Sequence, residues 1–229
     1  MKLLAIETAT EACSAALYLD GEVRELYEFA PRQHTRLLLG MVDRLMGEAG
    51  LSPVRLDSLA FGRGPGAFTG VRIATGVVQG IAYGADLPVV PVSTLAALAQ
   101  GGFREFGWTR VAAAIDARMN EVYWAAYGAN DAGLMVAHSD EVVCPAGAVP
   151  LLDGERWHGI GSGWQSYAEP LKRRQQERVL DWQGEYLPHA QDVALLAVDA
   201  FAKGRAVSAG EALPVYLRDQ VVHSPPAGT

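Results

Sequence analysis

The chain has 229 residues, half of them hydrophobic and a fifth charged, with a formal net charge of −7. That is material for one large domain or two small ones with a full core. The acidic balance argues against unaided binding to RNA or DNA, because phosphate neutralisation supplies most of that affinity; a basic partner could still bring the chain near nucleic acid.

Two cysteines, Cys13 and Cys144, lie outside any CxxC pair. They provide neither a disulfide framework nor zinc spacing, and Cys13, in an apolar run, is expected to be a buried thiol. The N-terminus, Met-Lys-Leu-Leu-Ala-Ile-Glu, reaches an acidic residue within seven positions, and no signal-peptide core follows. No apolar run approaches the ~20 residues that span a bilayer. A cytoplasmic location is expected.

The predicted elements begin with an antiparallel meander: strands at Leu3 to Ile6, Cys13 to Leu19 and Glu22 to Phe29, the last two joined by Asp20-Gly21. Asp-Gly suits the positive φ angles of a two-residue hairpin turn. From His34 the period changes. Leu38, Met41, Val42 and Leu45 fall at i, i+3, i+4, i+7, with Leu37 on the flank, and mark a helix that Gly50 and Pro53 close. A strand at Leu59 to Phe61 runs into "GRGPGAFTGVR", residues 62–72, and a helix is predicted over Val71 to Tyr83. A strand at Leu87 to Val92 and a short helix at Thr94 to Ala99 follow, then Gly101-Gly102 as a plausible hinge.

Past the hinge the opening pattern returns. "VAAAIDARMNEVYWAAY" has the layout of "LLAIETATEACSAALYL": apolar strand, acidic residue, polar turn, strand. Two related halves are expected. Further elements are strands near Leu134 to Ala137 and at Trp157 to Ile160, a helix from Gly161-Ser162-Gly163 to Leu171, an apolar pair at Val179-Leu180, and an amphipathic helix over Asp192 to Ala202. The expected lobes are 1–104 and 105–205, with a tail over 206–229 whose end, His223 to Thr229, is expected to be disordered.

The glycine-rich stretch could hold a phosphate or only shape a turn. A Walker loop needs Lys after its last glycine; here Val71 follows Gly70 and no lysine lies between Lys2 and Lys172. A weaker anion site at a helix N-terminus survives, with Thr69 as cap of a helix starting at Gly70. In the following helix, Gly76, Gly80 and Gly84 form one bare stripe, each costing roughly 1 kcal/mol against Ala. Close approach of another element is the expected offset. Val71, Ala74, Val78 and Ile81 form an apolar stripe on the same helix, so it is buried on more than one side, within the domain or against a partner. The five histidines are scattered, with no HExxH and no GxSxG elsewhere, so no metal or nucleophile is expected. Glu7 and Asp116 end matching strands and could hold a metal–nucleotide between lobes. The turns after them, however, contain no glycine for close approach to a phosphate.

"LLAIETATEACSAAL", "HTRLLLGMVDRLM", "GRGPGAFTGVRIATGVVQGIAYG", "PVVPVSTLAALA" and "PVYLR" together resemble the bacterial TsaB (YeaZ) family of tRNA threonylcarbamoyladenosine biosynthesis proteins. The match is close over about the first hundred residues and at 214–218, and one of layout between. The resemblance implies an actin-like ATPase (ASKHA) α/β fold of two related lobes, each a mixed sheet that starts as a meander, with flanking helices. It implies a non-catalytic subunit that helps modify the adenosine beside the anticodon in tRNAs reading codons that start with A. The implied partners are the catalytic paralogue TsaD and the ATPase TsaE, with a homodimer when alone, tRNA met only through the complex, and ATP on the partners. Glu7 stands where the family often has Asp.

On that reading, Leu37, Leu38, Met41, Leu45, Val71, Ala74, Gly76, Val78, Gly80 and Ile81 are the candidates for the dimer or docking surface. No catalytic, metal or cofactor residue is expected, beyond weak anion or nucleotide candidates Glu7, Thr69, Gly70 and Asp116. The competing readings are an ATPase or sugar-kinase-like phosphotransferase using Glu7, Asp116 and Gly161 to Gly163, and, with less support, a glycoprotease-like peptidase.

Overall fold

In the computed structural model of the chain, residues 1–218 are described. Continuous buried runs make β1 (Lys2–Glu7) and β2 (Ala12–Leu19), and the more polar edge strand β3 (Glu22–Phe29) completes a meander whose Asp20-Gly21 turn takes φ of 47° and 109°. Two further strands, β4 (Ser58–Gly62) and β5 (Val89–Val92), add parallel to β1, giving the order β3-β2-β1-β4-β5. Between them run α1 (His34–Glu48) and α2 (Phe68–Ala85).

The second half repeats this plan. β6 (Arg110–Arg118), β7 (Glu121–Ala129), β8 (Met135–Ala137) and β9 (Val142–Pro145) form the antiparallel part, both short strands pairing with β7. β10 (Trp157–Ile160) and β11 (Val179–Gln183) add parallel to β6. The order β11-β10-β6-β7-β8 mirrors the first sheet strand for strand. The duplication expected from pattern is therefore a duplication of topology, that of the actin-like ATPase fold.

Each sheet is covered on both faces. α1 and α2 bury Leu38, Met41, Leu45, Ala74 and Val78 against Leu4, Ile6, Cys13 and Phe61. The opposite face packs on α5 (Ala190–Ala202) through Val193, Ala194 and Ala197. In the second sheet, α4 (Ser162–Gln175) covers one face and α3 (Thr94–Phe106) the other. The expected lobe boundaries therefore need correction. α3 begins within 1–104 yet packs its Leu95, Leu98 and Ala99 on the second sheet, while α5 lies within 105–205 yet covers the first. The two helices meet where Arg104 donates to both Asp192 carboxylate oxygens at 2.9 and 3.0 Å.

The hinge expected at Gly101-Gly102 is instead the interior of α3. A Cβ on Gly101 would overlap the Tyr186 ring, so packing accounts for the glycine there. β9 carries no strong alternation and was not predicted; its partner β7 fixes it. The end of the tail, His223 to Thr229, lies outside the described residues.

Two buried tryptophans make a testable contrast. Trp164 donates its indole N–H to the Ala112 carbonyl at 2.8 Å. Trp124, also fully buried and 5.8 Å from it centroid to centroid, is the buried polar side chain without a hydrogen-bond partner among the described residues. Replacing Trp164 by Phe loses that hydrogen bond as well as leaving a cavity; replacing Trp124 by Phe leaves the cavity but removes an unpaired donor. Urea melts are expected to show Trp164→Phe costing about 1–2 kcal/mol more than Trp124→Phe.

Candidate functional site

The glycine-rich stretch meets the first strand turn directly. Gly62, Gly66 and Gly70 face Glu7, Ala9 and Thr8 in turn: a Cβ on Gly62 would overlap the Glu7 carboxylate, one on Gly66 the Ala9 carbonyl, and one on Gly70 the Thr8 carbonyl. The contact is stitched by Ala67 N–H to the Ala9 carbonyl at 2.7 Å and by the Thr8 hydroxyl to the Gly70 carbonyl at 2.8 Å. The inner side of the turn after β1 is thus filled by the glycine-rich stretch, while Ala9, Thr10 and Glu11 border the interlobe cavity. The glycines serve close backbone approach, to the chain's own turn.

This corrects two expectations and bears on a third. Gly70 is buried, with its Cα against the Thr8 carbonyl. Thr69 is not the cap: α2 starts at Phe68, Ala67 takes the N-cap position, and no side chain caps the helix. Glu7 is fully buried and does not reach the cleft. Its Oε1 accepts from the Ala9 N–H at 2.6 Å and its Oε2 from the Thr94 hydroxyl at 3.1 Å. Burial raises its carboxyl to about 7, against the pull of those bonds and of the Thr8 N–H.

A cavity of about 920 Å³ lies between the lobes, with Thr10, Phe68, Asp116, Tyr123, Ser162 and Tyr216 among its lining. Asp116 is the one strand-end carboxylate of the pair that lines it. That group is already engaged: it accepts from the Arg118 N–H at 2.8 Å, the Arg118 guanidinium at 3.0 Å and the Tyr167 hydroxyl at 3.2 Å. Tyr167 reaches it because α4, with Pro170 inside, kinks at that residue (φ −134°, ψ 33°). Gly161 and Gly163 pack on Ala114, so the second glycine pair also serves chain contact. Glu7 and Asp116 are not brought together as a cation-holding pair.

On the helical face, the apolar stripes predicted for docking divide. Leu38, Met41, Leu45, Val71, Ala74 and Val78 are core residues of the first lobe and offer no surface. Leu37 and Ile81 are half-buried and pack on that core. Gly76 and Gly80, with Gly84, face outward with no atom within 4 Å of an added Cβ. The bare stripe opposite the core is thus the outer surface of α2. Beside it stand half-buried Ile73 and Val77, and exposed Tyr83 (87%) and Phe68 (60%). On neighbouring α1, Leu39 is 56% exposed and Gly40 and Gly47 are bare. The physical rule missed was that a regular apolar stripe on a single domain's helix pays first for its own core. The glycines, not the aliphatics, marked the outside.

Among the described residues no three His, Cys, Asp or Glu side chains cluster to hold a metal, and no helix is long and apolar enough to cross a membrane.

Comparison with known proteins agrees with this architecture. The family model described as "TsaD: tRNA N6-adenosine threonylcarbamoyltransferase" matches residues 27–155. The tRNA threonylcarbamoyladenosine biosynthesis protein TsaB of Escherichia coli K12 is 46% identical over 225 residues, covering 96% of each chain. The solved structure of YeaZ from Pseudomonas aeruginosa is 49% identical, covers 94% of this chain and 99% of that one, and superposes with a TM-score of 0.88. A second Pseudomonas aeruginosa structure, described as an uncharacterized protein with similarity to peptidase YeaZ, is 48% identical over 95% of this chain and 99% of that one, with a TM-score of 0.88. With a filled strand turn, an outward glycine stripe and relatives matched along nearly its whole length, the chain belongs to the TsaB family of tRNA threonylcarbamoyladenosine biosynthesis proteins.

Proposed function

We propose that the chain serves tRNA threonylcarbamoyladenosine biosynthesis in the cytoplasm as a non-catalytic subunit. It supports a TsaD catalytic subunit, works alongside TsaE, pairs with itself when alone, and meets tRNA only within the complex, the nucleotide residing on its partners. The observation that carries this reading is the match to TsaB relatives along nearly the whole chain, supported by the strand turn, where Gly62, Gly66 and Gly70 are occupied by close approach to the chain's own Glu7, Ala9 and Thr8. The docking surface is the outer face of α2 with the adjoining face of α1. Bare glycines let a partner helix approach closely, and Leu39, Ile73, Val77 and Tyr83 supply apolar area beside them.

Two measurements test it. Reconstitution of tRNA modification with purified TsaD and TsaE is expected to depend on this chain, while the chain alone turns over no Mg–ATP. Turnover by the isolated protein would instead favour the phosphotransferase reading. Gly76→Leu and Gly80→Leu are expected to fold as the wild type does, since the added side chains meet open space. Both are expected to weaken TsaD binding and self-association about tenfold or more, or 1.4 kcal/mol. Unchanged binding by titration calorimetry and sedimentation would remove the docking face.

A further inference from the structure

The segment 212–218, "ALPVYLR", leaves the first lobe and ends on the second. It starts on α2, where the Gln79 side chain donates to the Ala212 carbonyl at 3.1 Å. The Val215 N–H then donates to the Arg63 carbonyl at 2.8 Å, and the Val215 carbonyl sits against Gly64, whose φ of +94° and missing Cβ leave it room. Tyr216 packs 5.9 Å from Phe68, and the Arg72 guanidinium lies over both rings at 4.8 and 3.1 Å. Arg218 finally pairs with Glu121, and its guanidinium lies 3.9 Å from the Met119 sulfur. Those last contacts are on the β6–β7 hairpin, where Arg118, Met119 and Asn120 all hold positive φ (63°, 57° and 62°). Such a run of non-glycine residues in the left-handed region is strained and persists only when its surroundings hold it.

The residues Val215 to Arg218 also line the interlobe cavity. Two ion pairs cross the same gap: Arg63 with Glu141 at 3.1 Å and Arg118 with Glu11 at 3.7 Å. The Arg63 pair is the better buried and the Arg118 guanidinium the most exposed. The strap's own pair, Arg218 with Glu121, is about as buried as the Arg63 pair, but that pair and the Met119 sulfur are the far-end contacts, against the Gln79 and Arg63 hydrogen bonds and the Phe68–Arg72 stack at the near end. Partly exposed pairs of this kind are weak and salt-screened.

We propose that residues 213–218 are a releasable tie, anchored on α2 and the Arg63 loop and clipped by Arg218 to the β6–β7 hairpin, which sets the width of the cleft and holds the hairpin in its strained turn. The near end, with more contacts, keeps the strap in place; the Arg218 end, held by one ion pair, lets go.

Hydrogen exchange on the intact chain tests this, read at 215–218, at the 116–121 hairpin, and at β1 and α1. Arg218→Ala is expected to speed exchange at the strap and the hairpin together by about tenfold while β1 and α1 stay protected, and the wild type in 1 M salt is expected to move the same way. Tyr216→Ala is expected to loosen the strap from the α2 side and release the hairpin as well. Unchanged hairpin exchange in both variants overturns the tie. So does a uniform rise across both lobes, which would make Arg218 a general stability contact.

Discussion

Gly70→Ala is expected to destabilise the chain by about 3–5 kcal/mol, while Gly76→Ala, six residues along the same helix, is expected to stabilise it by up to about 1 kcal/mol. The new methyl at residue 70 falls on the Thr8 carbonyl, which is backbone in a turn clamped from both sides. Relief requires the turn to move. That movement breaks the bond from the Thr8 hydroxyl to the Gly70 carbonyl and the bond from the Ala67 N–H to the Ala9 carbonyl. Overpacking costs about 1–3 kcal/mol and each lost bond about 1 kcal/mol, out of a total stability of about 5–15 kcal/mol. At Gly76 nothing lies within 4 Å of the methyl and only helix propensity changes. Denaturant melts of both variants decide the matter. Equal stability of Gly70→Ala and wild type would mean the first turn is loose, and with it the argument against a phosphate there would fall.

Much of this was legible in the chain. The two meanders, the change of period at His34 and the repeated layout at Val111 carried the fold, because strand and helix periods differ and the Asp20-Gly21 turn admits few alternatives. What escaped was anything set by contacts distant in sequence. Gly101 and Gly102 read as a hinge because glycine lowers helix propensity. Only the ring of Tyr186, 85 positions beyond Gly101, explains why a helix there keeps glycine. The crossing of α3 and α5 between lobes left no local mark either, since an amphipathic helix does not say which sheet it covers. The site divided the same way. Missing lysine and missing turn glycines already weakened a phosphate site. That Gly62, Gly66 and Gly70 fit the Glu7–Ala9 turn one by one could be seen only in three dimensions. The outer face of α2 proposed for docking was half legible: the glycine stripe was found, but the aliphatic residues joined to it were those of the core.

Glu7 yields the second large effect, one of pH. Its carboxyl is fully buried, with a pKa raised to about 7 from 4.5 by desolvation, and no charged group is among the causes of the shift. The groups that face it are the Ala9 and Thr8 N–H groups and the Thr94 hydroxyl, with Gly62 packed against it. Because the folded value lies above the unfolded one, the folded chain binds the extra proton between those limits. Stability from this group is therefore fully present below pH 4.5 and is lost as pH rises toward 7 and beyond. A shift of this size corresponds to about 3 kcal/mol. Glu7→Gln does not titrate, keeps a carbonyl to accept from Ala9, and turns an amide toward Thr94, whose hydroxyl accepts as well as donates. Other acidic groups, including buried Asp192, titrate alike in both proteins and cancel in the difference. Urea melts at pH 5, 6, 7 and 8 are expected to show Glu7→Gln near wild-type stability at the acid end and gaining on it steadily, by about 3 kcal/mol at pH 8. Parallel curves across that range would mean the Glu7 carboxylate is solvated, and the turn it caps is open.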